Sequence, residues 1–151
     1  EVRNEGWEVR AERSFRVEVG RALLSGRADR VHLKDGEVRI ADLKTSSSRI
    51  SEAEAQRNAQ LAMYQAAVTC GGFSEGTEAA GAELVFLGLR SGNPVRKQDP
   101  IDREGAMARL NAVVEELCKP AFEARVGKDC WSCPVKRSCP AWPQGGQVSG
   151  P

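Results

Sequence analysis

The chain has 151 residues, of which 28% are charged and 5% aromatic, and its 22 Lys and Arg against 21 Asp and Glu leave a net charge of +1. That composition excludes a disordered chain, and the length suits one domain able to bury a core. Apolar runs such as Leu84-Val85-Phe86-Leu87 are too short to cross a bilayer. The opening residues lack the apolar core of a signal peptide, and near-neutral charge argues against wholesale coating of nucleic acid while leaving room for a local basic groove.

Residues 8–19 alternate polar and apolar side chains and predict a strand, followed by strands over 22–33 and 37–45. Asp35-Gly36 between the last two is a two-residue hairpin signal. Ser51 with Glu54 forms a capping box and predicts one helix running to about Cys70, stopped by Gly71-Gly72. A loop over 71–81 leads to an apolar, central strand over 82–89, then to turn chemistry at Ser91-Gly92-Asn93-Pro94. Asp102 caps a second helix with Met107, Leu110, Val113, Val114 and Leu117 at helical spacing, which Pro120 bends or ends. Beyond Gly127 the chain is rich in Cys, Pro and Gly. The order β-β-β-α-β-α with a cysteine-rich tail predicts an α/β fold, a mixed sheet covered by helices, with a core over 1–127 and a tail over 128–151.

With Asp35-Gly36 as the loop, Lys34 faces Glu37, Leu33 faces Val38, Val31 faces Ile40 and Asp29 faces Asp42. The apolar pairs fall together, which supports the register. Two opposed carboxylates, their Cα atoms about 4.5 Å apart in a non-hydrogen-bonded pair, repel and destabilise a sheet. A divalent cation is the simplest group to offset that cost, because hard cations take carboxylate oxygens. Lys44 lies two residues past Asp42, on the same strand face. Two carboxylates and an ammonium on one spot suit metal-assisted phosphodiester hydrolysis, with the Leu43 carbonyl as a further metal ligand. The alternative is an ordinary solvated strand face, on which Asp-x-Lys is common.

Gly26-Arg27-Ala28-Asp29-Arg30-Val31 followed by Ile40-Ala41-Asp42-Leu43-Lys44-Thr45 resembles the G-x-x-D-R … D-x-K-T signature of RecB-type nucleases of the PD-(D/E)XK superfamily, and Gln60-Leu61-Ala62-Met63-Tyr64 resembles their Q-x-x-x-Y motif. Glu12-x-x-Phe15 resembles the strand ahead of the first catalytic Asp. The resemblance implies a restriction-endonuclease-like fold with a β-β-β-α-β core and a Mg²⁺- or Mn²⁺-dependent deoxyribonuclease, an exonuclease by type. Asp29 and Asp42 would hold metal, Lys44 would assist the attacking water, and Gln60 and Tyr64, one helical turn apart, would border the site. It further implies the nuclease module of a RecB/AddB-like helicase–nuclease in DNA end processing and recombinational repair, with DNA, a helicase domain in the same polypeptide and a partner subunit as partners. A CRISPR-adaptation-type nuclease shares the same motifs. A catalytically silent DNA-binding domain and a zinc-ribbon adaptor are the readings from other classes. Related nucleases carry a helix ahead of the first strand, often with a metal-completing His. The one His here, His32, does not match that position and suits a surface or packing role, so the N-terminal helix is expected to be missing, which counts against activity of this piece alone.

Cys130, Cys133 and Cys139 crowd into ten residues, while Cys70 and Cys118 lie apart. Five Cys in this layout look like a metal knuckle in a reducing, cytoplasmic compartment rather than a disulfide frame. Three thiolates need a fourth ligand. Cys118 would complete a Zn²⁺ site, whereas the resemblance implies a [4Fe–4S] cluster whose fourth Cys lies outside this chain. Cys70, near a helix end, reads as a small buried residue. Arg27, Arg30, Arg49 and Arg57 could track a DNA backbone, or else serve in ordinary salt bridges.

Overall fold

The structure is a computed structural model describing residues 6–121 and 124–142. The expected tail over 128–151 therefore falls partly outside the described residues, at 143–151. The chain forms two compact units, Glu1–Leu117 and Cys118–Pro151.

The first unit holds β1 (Glu8–Val19), β2 (Ala22–Lys34), β3 (Glu37–Lys44), α1 (Glu52–Gln56), α2 (Ala59–Thr69), β4 (Glu78–Phe86), β5 (Val95–Gln98) and α3 (Arg103–Leu117). They build a mixed five-stranded sheet in the order β1-β2-β3-β4-β5, antiparallel except for the parallel β3–β4 pair. Asp35 and Gly36 both take positive φ, 51° and 87°, as a tight turn matched to strand twist requires. The hairpin register is the expected one, with Lys34 on Glu37, Leu33 on Val38 and Val31 on Ile40.

α2 covers one face of the sheet. Leu61, Tyr64, Ala67 and Val68 pack on Val31, Val38, Ile40, Leu84 and Phe86, and each fully buried Val, Leu or Ile contributes about 1.5–3 kcal/mol. On the other face His32 is buried between Val9 and Arg39, so its role is packing. Burial pushes its imidazole below the ordinary 6.5, and the charges of Arg39 and Arg30 add to that. The Arg39 guanidinium lies 4.6 Å from the centre of the buried Trp7 ring, a cation–π contact.

Several sequence expectations change. The single helix over 51–70 is two, because Asn58 adopts an extended conformation and caps α2 by accepting from Leu61 N–H at 3.0 Å. The strand expected over 82–89 starts earlier and stops at Phe86, and β5 was not expected at all. The apolar stripe of α3 is buried only in its first half, at Ala106 and Leu110, while Val113 and Leu117 are 44% and 62% exposed. The helix packs on α2, and burial is confined to its first turns.

The loop after α2 is fastened to β1 by Glu75, which meets Arg10 at 3.0 Å and Arg13 at 2.5 Å. Burial pushes the Glu75 carboxyl up, but hydrogen bonds from Ser74, its own N–H and Arg13 outweigh it and hold the group below 4.5. A carboxyl with a lowered folded value adds stability above its unfolded value and loses it as pH falls through the folded one. Wild-type protein is therefore expected to lose more stability than Glu75→Gln as pH drops below about 4.5, by at most ~1 kcal/mol because both arginines are well exposed. Urea midpoints across that range check it, and parallel curves would exclude the clamp.

Candidate active site

Asp29 owes its position to a fault in the sheet. β1 and β2 pair Ala11 with Arg30 and Arg13 with Ala28, but skip the Glu12–Asp29 rung between them. Glu12 there takes a positive φ of 49°, uncommon for a non-glycine residue. The register is unchanged across the gap, yet inside and outside exchange. Ala28 and Val31, three residues apart, are both fully buried, and Arg10 and Arg13 both reach Glu75. The β2–β3 ladder likewise ends at Arg30–Ala41. Asp29 is thus released from pairing, and its Oδ2 accepts the Leu43 N–H at 2.8 Å. The carboxylate crosses to the backbone beside Asp42 instead of stacking squarely on it, and a charge-assisted bond offsets the repulsion that opposed carboxylates would create.

Asp42 is 4% exposed. Its Oδ1 accepts from Gln60 Nε2 at 2.9 Å and from the Tyr64 hydroxyl at 3.3 Å. Its Oδ2 lies 2.6 Å from Lys44 Nζ as an ion pair and has no further hydrogen-bond partner. Lys44 Nζ donates to Gln60 Oε1 at 3.0 Å. Gln60 therefore spans Asp42 and Lys44 with the two ends of one amide. The Tyr64 hydroxyl also points to the Arg27 carbonyl at 3.3 Å, and its ring rests edge-on against Phe15 with centroids 6.0 Å apart. Burial raises the Tyr64 phenol above 10; the charges of Asp42 and Asp29 raise it further, against a lowering hydrogen bond from Gln60. It stays a neutral donor at physiological pH.

The ends of β3 and β4 are drawn together beside this group. Leu87 N–H donates to the Lys44 carbonyl at 2.8 Å. A Cβ on Gly88 would strike the carbonyl oxygens of Thr45 and Ser46, so only glycine lets the two exits lie this close. The structure thus brings together Asp29, Asp42, Leu43, Lys44, Gln60 and Tyr64. It does not bring the four arginines to the same point. Arg27 is exposed and 3.5 Å from Glu12. Arg30, opposite Ala41, is exposed on the face away from Val31. Arg49 donates to the Asn93 carbonyl at 2.7 Å, and Arg57 is exposed at the α1–α2 break.

Divalent-metal chemistry fits the donor set. A carboxylate oxygen of Asp29 reaches the backbone next to Asp42, and the buried Asp42 Oδ2 is met only by Lys44 Nζ. Among the described residues no three His, Cys, Asp or Glu side chains gather in a metal-holding group. An ion here would have two carboxylates and a backbone carbonyl and would complete its shell with water and phosphate, as Mg²⁺ does.

In the second unit, short 3-10 turns at Lys128–Trp131 and Lys136–Ser138 carry the tail. Cys130, Cys133 and Cys139 are free and half-buried, and Cys118 is free and exposed. Cys130 Sγ accepts the Gly127 N–H at 3.2 Å. Trp131 and Trp142 meet edge to face with centroids 5.6 Å apart, and Trp131 is 75% exposed.

A family model described as the PD-(D/E)XK nuclease superfamily matches residues 1–140. No curated protein matches the sequence. Seven chains of solved structures match. One, described as "Crystal structure of SSO0001", is 18% identical with a TM-score of 0.43, and the match covers 89% of this chain and 61% of that one. The present chain thus spans less than two thirds of the length of that relative. No helix among the described residues is long and apolar enough to cross a membrane.

Proposed function

The chain belongs to the PD-(D/E)XK nuclease superfamily, and from that premise we propose a Mg²⁺- or Mn²⁺-dependent DNA nuclease whose centre is Asp29, Asp42, Lys44, Gln60 and Tyr64. The observation that carries the reading is the closed set of contacts in which Gln60 joins Asp42 to Lys44 while Asp29 grips the Leu43 N–H. Asp29, Asp42 and the Leu43 carbonyl would hold the ion, which when bound would supply a lowered pKa for water and polarisation of the scissile phosphate. Lys44 orients the attacking water and meets charge developing on the phosphate oxygens. Gln60 fixes the direction of the Lys44 ammonium. Tyr64, held neutral, donates to Asp42 and keeps its carboxylate aimed. Arg27, Arg30, Arg49 and Arg57 are the candidate contacts to the DNA backbone.

The finer reading is a RecB/AddB-like nuclease module, a core over 1–127 with a tail over 128–151, acting on DNA ends beside a helicase domain and a partner subunit in the cytoplasm. It is supported by the signatures at Gly26–Arg30, Asp42–Thr45 and Gln60–Tyr64 together with the Cys130, Cys133 and Cys139 triplet. In that setting the triplet takes a [4Fe–4S] cluster with a fourth thiolate from outside these residues, and zinc with Cys118 is the competing occupant. The same motifs and triplet also support a CRISPR-adaptation-type nuclease as the second reading.

Metal removal tests the core of this proposal. Cleavage of linear DNA is expected to need Mg²⁺ or Mn²⁺, to stop with excess EDTA, and to return on adding back the ion. Cleavage that persists in EDTA would overturn it.

A further inference from the structure

Resting on the nuclease reading above, we propose that two buried amides far from the carboxylates, Gln98 and Gln65, are positioning residues that hold Gln60 on Lys44. Gln60 is the second residue of α2, in a first turn that begins at the break and is held on its N–H side by Asn58 alone, through Leu61 N–H and Ala62 N–H. Such turns fray unless anchored. The network that orients Lys44 is thus mounted on what would be the least stable part of the helix.

Gln98 supplies the anchor. From β5, where it is 3% exposed, its Nε2 lies 3.1 Å from each of the carbonyls of Ala55, Gln56 and Asn58, which share its two N–H donors. These are the carbonyls of the α1–α2 break itself. Its Oε1 accepts from Nε2 of the fully buried Gln65 at 3.0 Å. Gln65 also donates to the Asp99 carbonyl at 3.1 Å and accepts the Ile101 N–H at 2.9 Å. Asp99 N–H returns to Gln56 Oε1 at 3.2 Å. The break, the middle of α2 and the segment after β5 are therefore fastened by amides with fixed donor and acceptor ends. Sliding α2 along the sheet, or rotating it, would break several bonds at once. Gln60 and Tyr64 occupy the other side of the same helix and face Asp42. Hydrophobic contacts alone, being non-directional, would tolerate such a shift.

A purely structural role predicts lower stability with an unchanged site. A positioning role predicts a displaced Gln60 in protein that remains folded. The test uses the full chain with Gln98→Met, which keeps the length of the side chain and removes its amide. The Gln60 side-chain amide resonances are expected to shift or broaden. With Mg²⁺ and linear DNA, kcat is expected to fall roughly 10- to 100-fold, the scale of a small misplacement, with KM nearly unchanged. In a Gln60→Ala background Gln98→Met is expected to cost almost nothing more, because both act through one contact. Should Gln98→Met fail to fold, Gln65→Met, which removes the donor that fixes the orientation of the Gln98 amide, carries the same measurements. An unmoved Gln60 amide, or losses that multiply in the double variant, would overturn the inference. If wild-type protein does not cleave DNA, the nuclease reading falls, and the Gln60 resonances still decide whether the amide pair positions it.

Discussion

Asp42→Asn is expected to reduce DNA cleavage roughly 10³-fold or more, an effect on the scale of removing a main electrostatic contributor from a reaction centre. The replacement keeps the shape and can still accept from Gln60, but it removes the negative charge from a position that is 4% exposed. An ion held by two carboxylates would be left with one, and Lys44 Nζ, now 2.6 Å from an anion, would lose its counter-charge. Mn²⁺ titration by calorimetry should show binding weakened together with rate. Stability is expected to fall as well, because with Oδ1 kept on Gln60 the new amide nitrogen would face the Lys44 ammonium where a carboxylate oxygen now pairs with it. A variant that cleaves at the wild-type rate would remove Asp42 from the centre, and one that merely unfolds would make it a structural residue.

Lys44→Met separates holding the ion from acting on the phosphate. Methionine preserves most of the aliphatic stem and deletes the ammonium that donates to Gln60 at 3.0 Å. The rate is expected to fall about 10²- to 10³-fold, in line with loss of one group that orients water or stabilises developing charge. Mn²⁺ affinity should hold or rise, because a positive charge next to the ion is gone. The two variants thus give opposite patterns in one binding experiment. A Lys44→Met protein that binds Mn²⁺ as poorly as Asp42→Asn would show that Lys44 organises the carboxylates rather than the reaction.

Much of this arrangement was legible in the sequence, for identifiable reasons. The Asp35-Gly36 turn and the apolar pairs Leu33–Val38 and Val31–Ile40 fix the hairpin register, since a slip by one residue would expose them. Asp42 and Lys44 share a face by strand period alone, and Gln60 and Tyr64 by helix period. β5 was not legible. Its inward residues are Arg96 and Gln98, which satisfy themselves on carbonyls instead of packing as apolar groups, so the usual alternation is missing. The Gln65–Gln98 pair was hidden for the same reason. The break at Asn58 carried a signal that could have been used, because Asn is a strong N-cap and the buried periodicity begins again at Leu61. The fault at Glu12 and Asp29 left no mark, since nothing in Ala11-Glu12-Arg13 announces a positive φ.

That fault separates the residue that carries the first carboxylate from the ladder around it. Because Ala11–Arg30 and Arg13–Ala28 keep one register on either side of the skipped rung, Glu12 and Asp29 behave as a matched insertion, one residue in each strand. Removing both would join the flanking rungs into an unbroken ladder and leave the facing of Arg10, Phe15, Ala28 and Val31 as it is. Removing only one would leave an ordinary bulge. The first carboxylate thus stands on a residue added to the ladder and not on one of its rungs, so the side chain is freed for the site at no loss of strand pairing on either side.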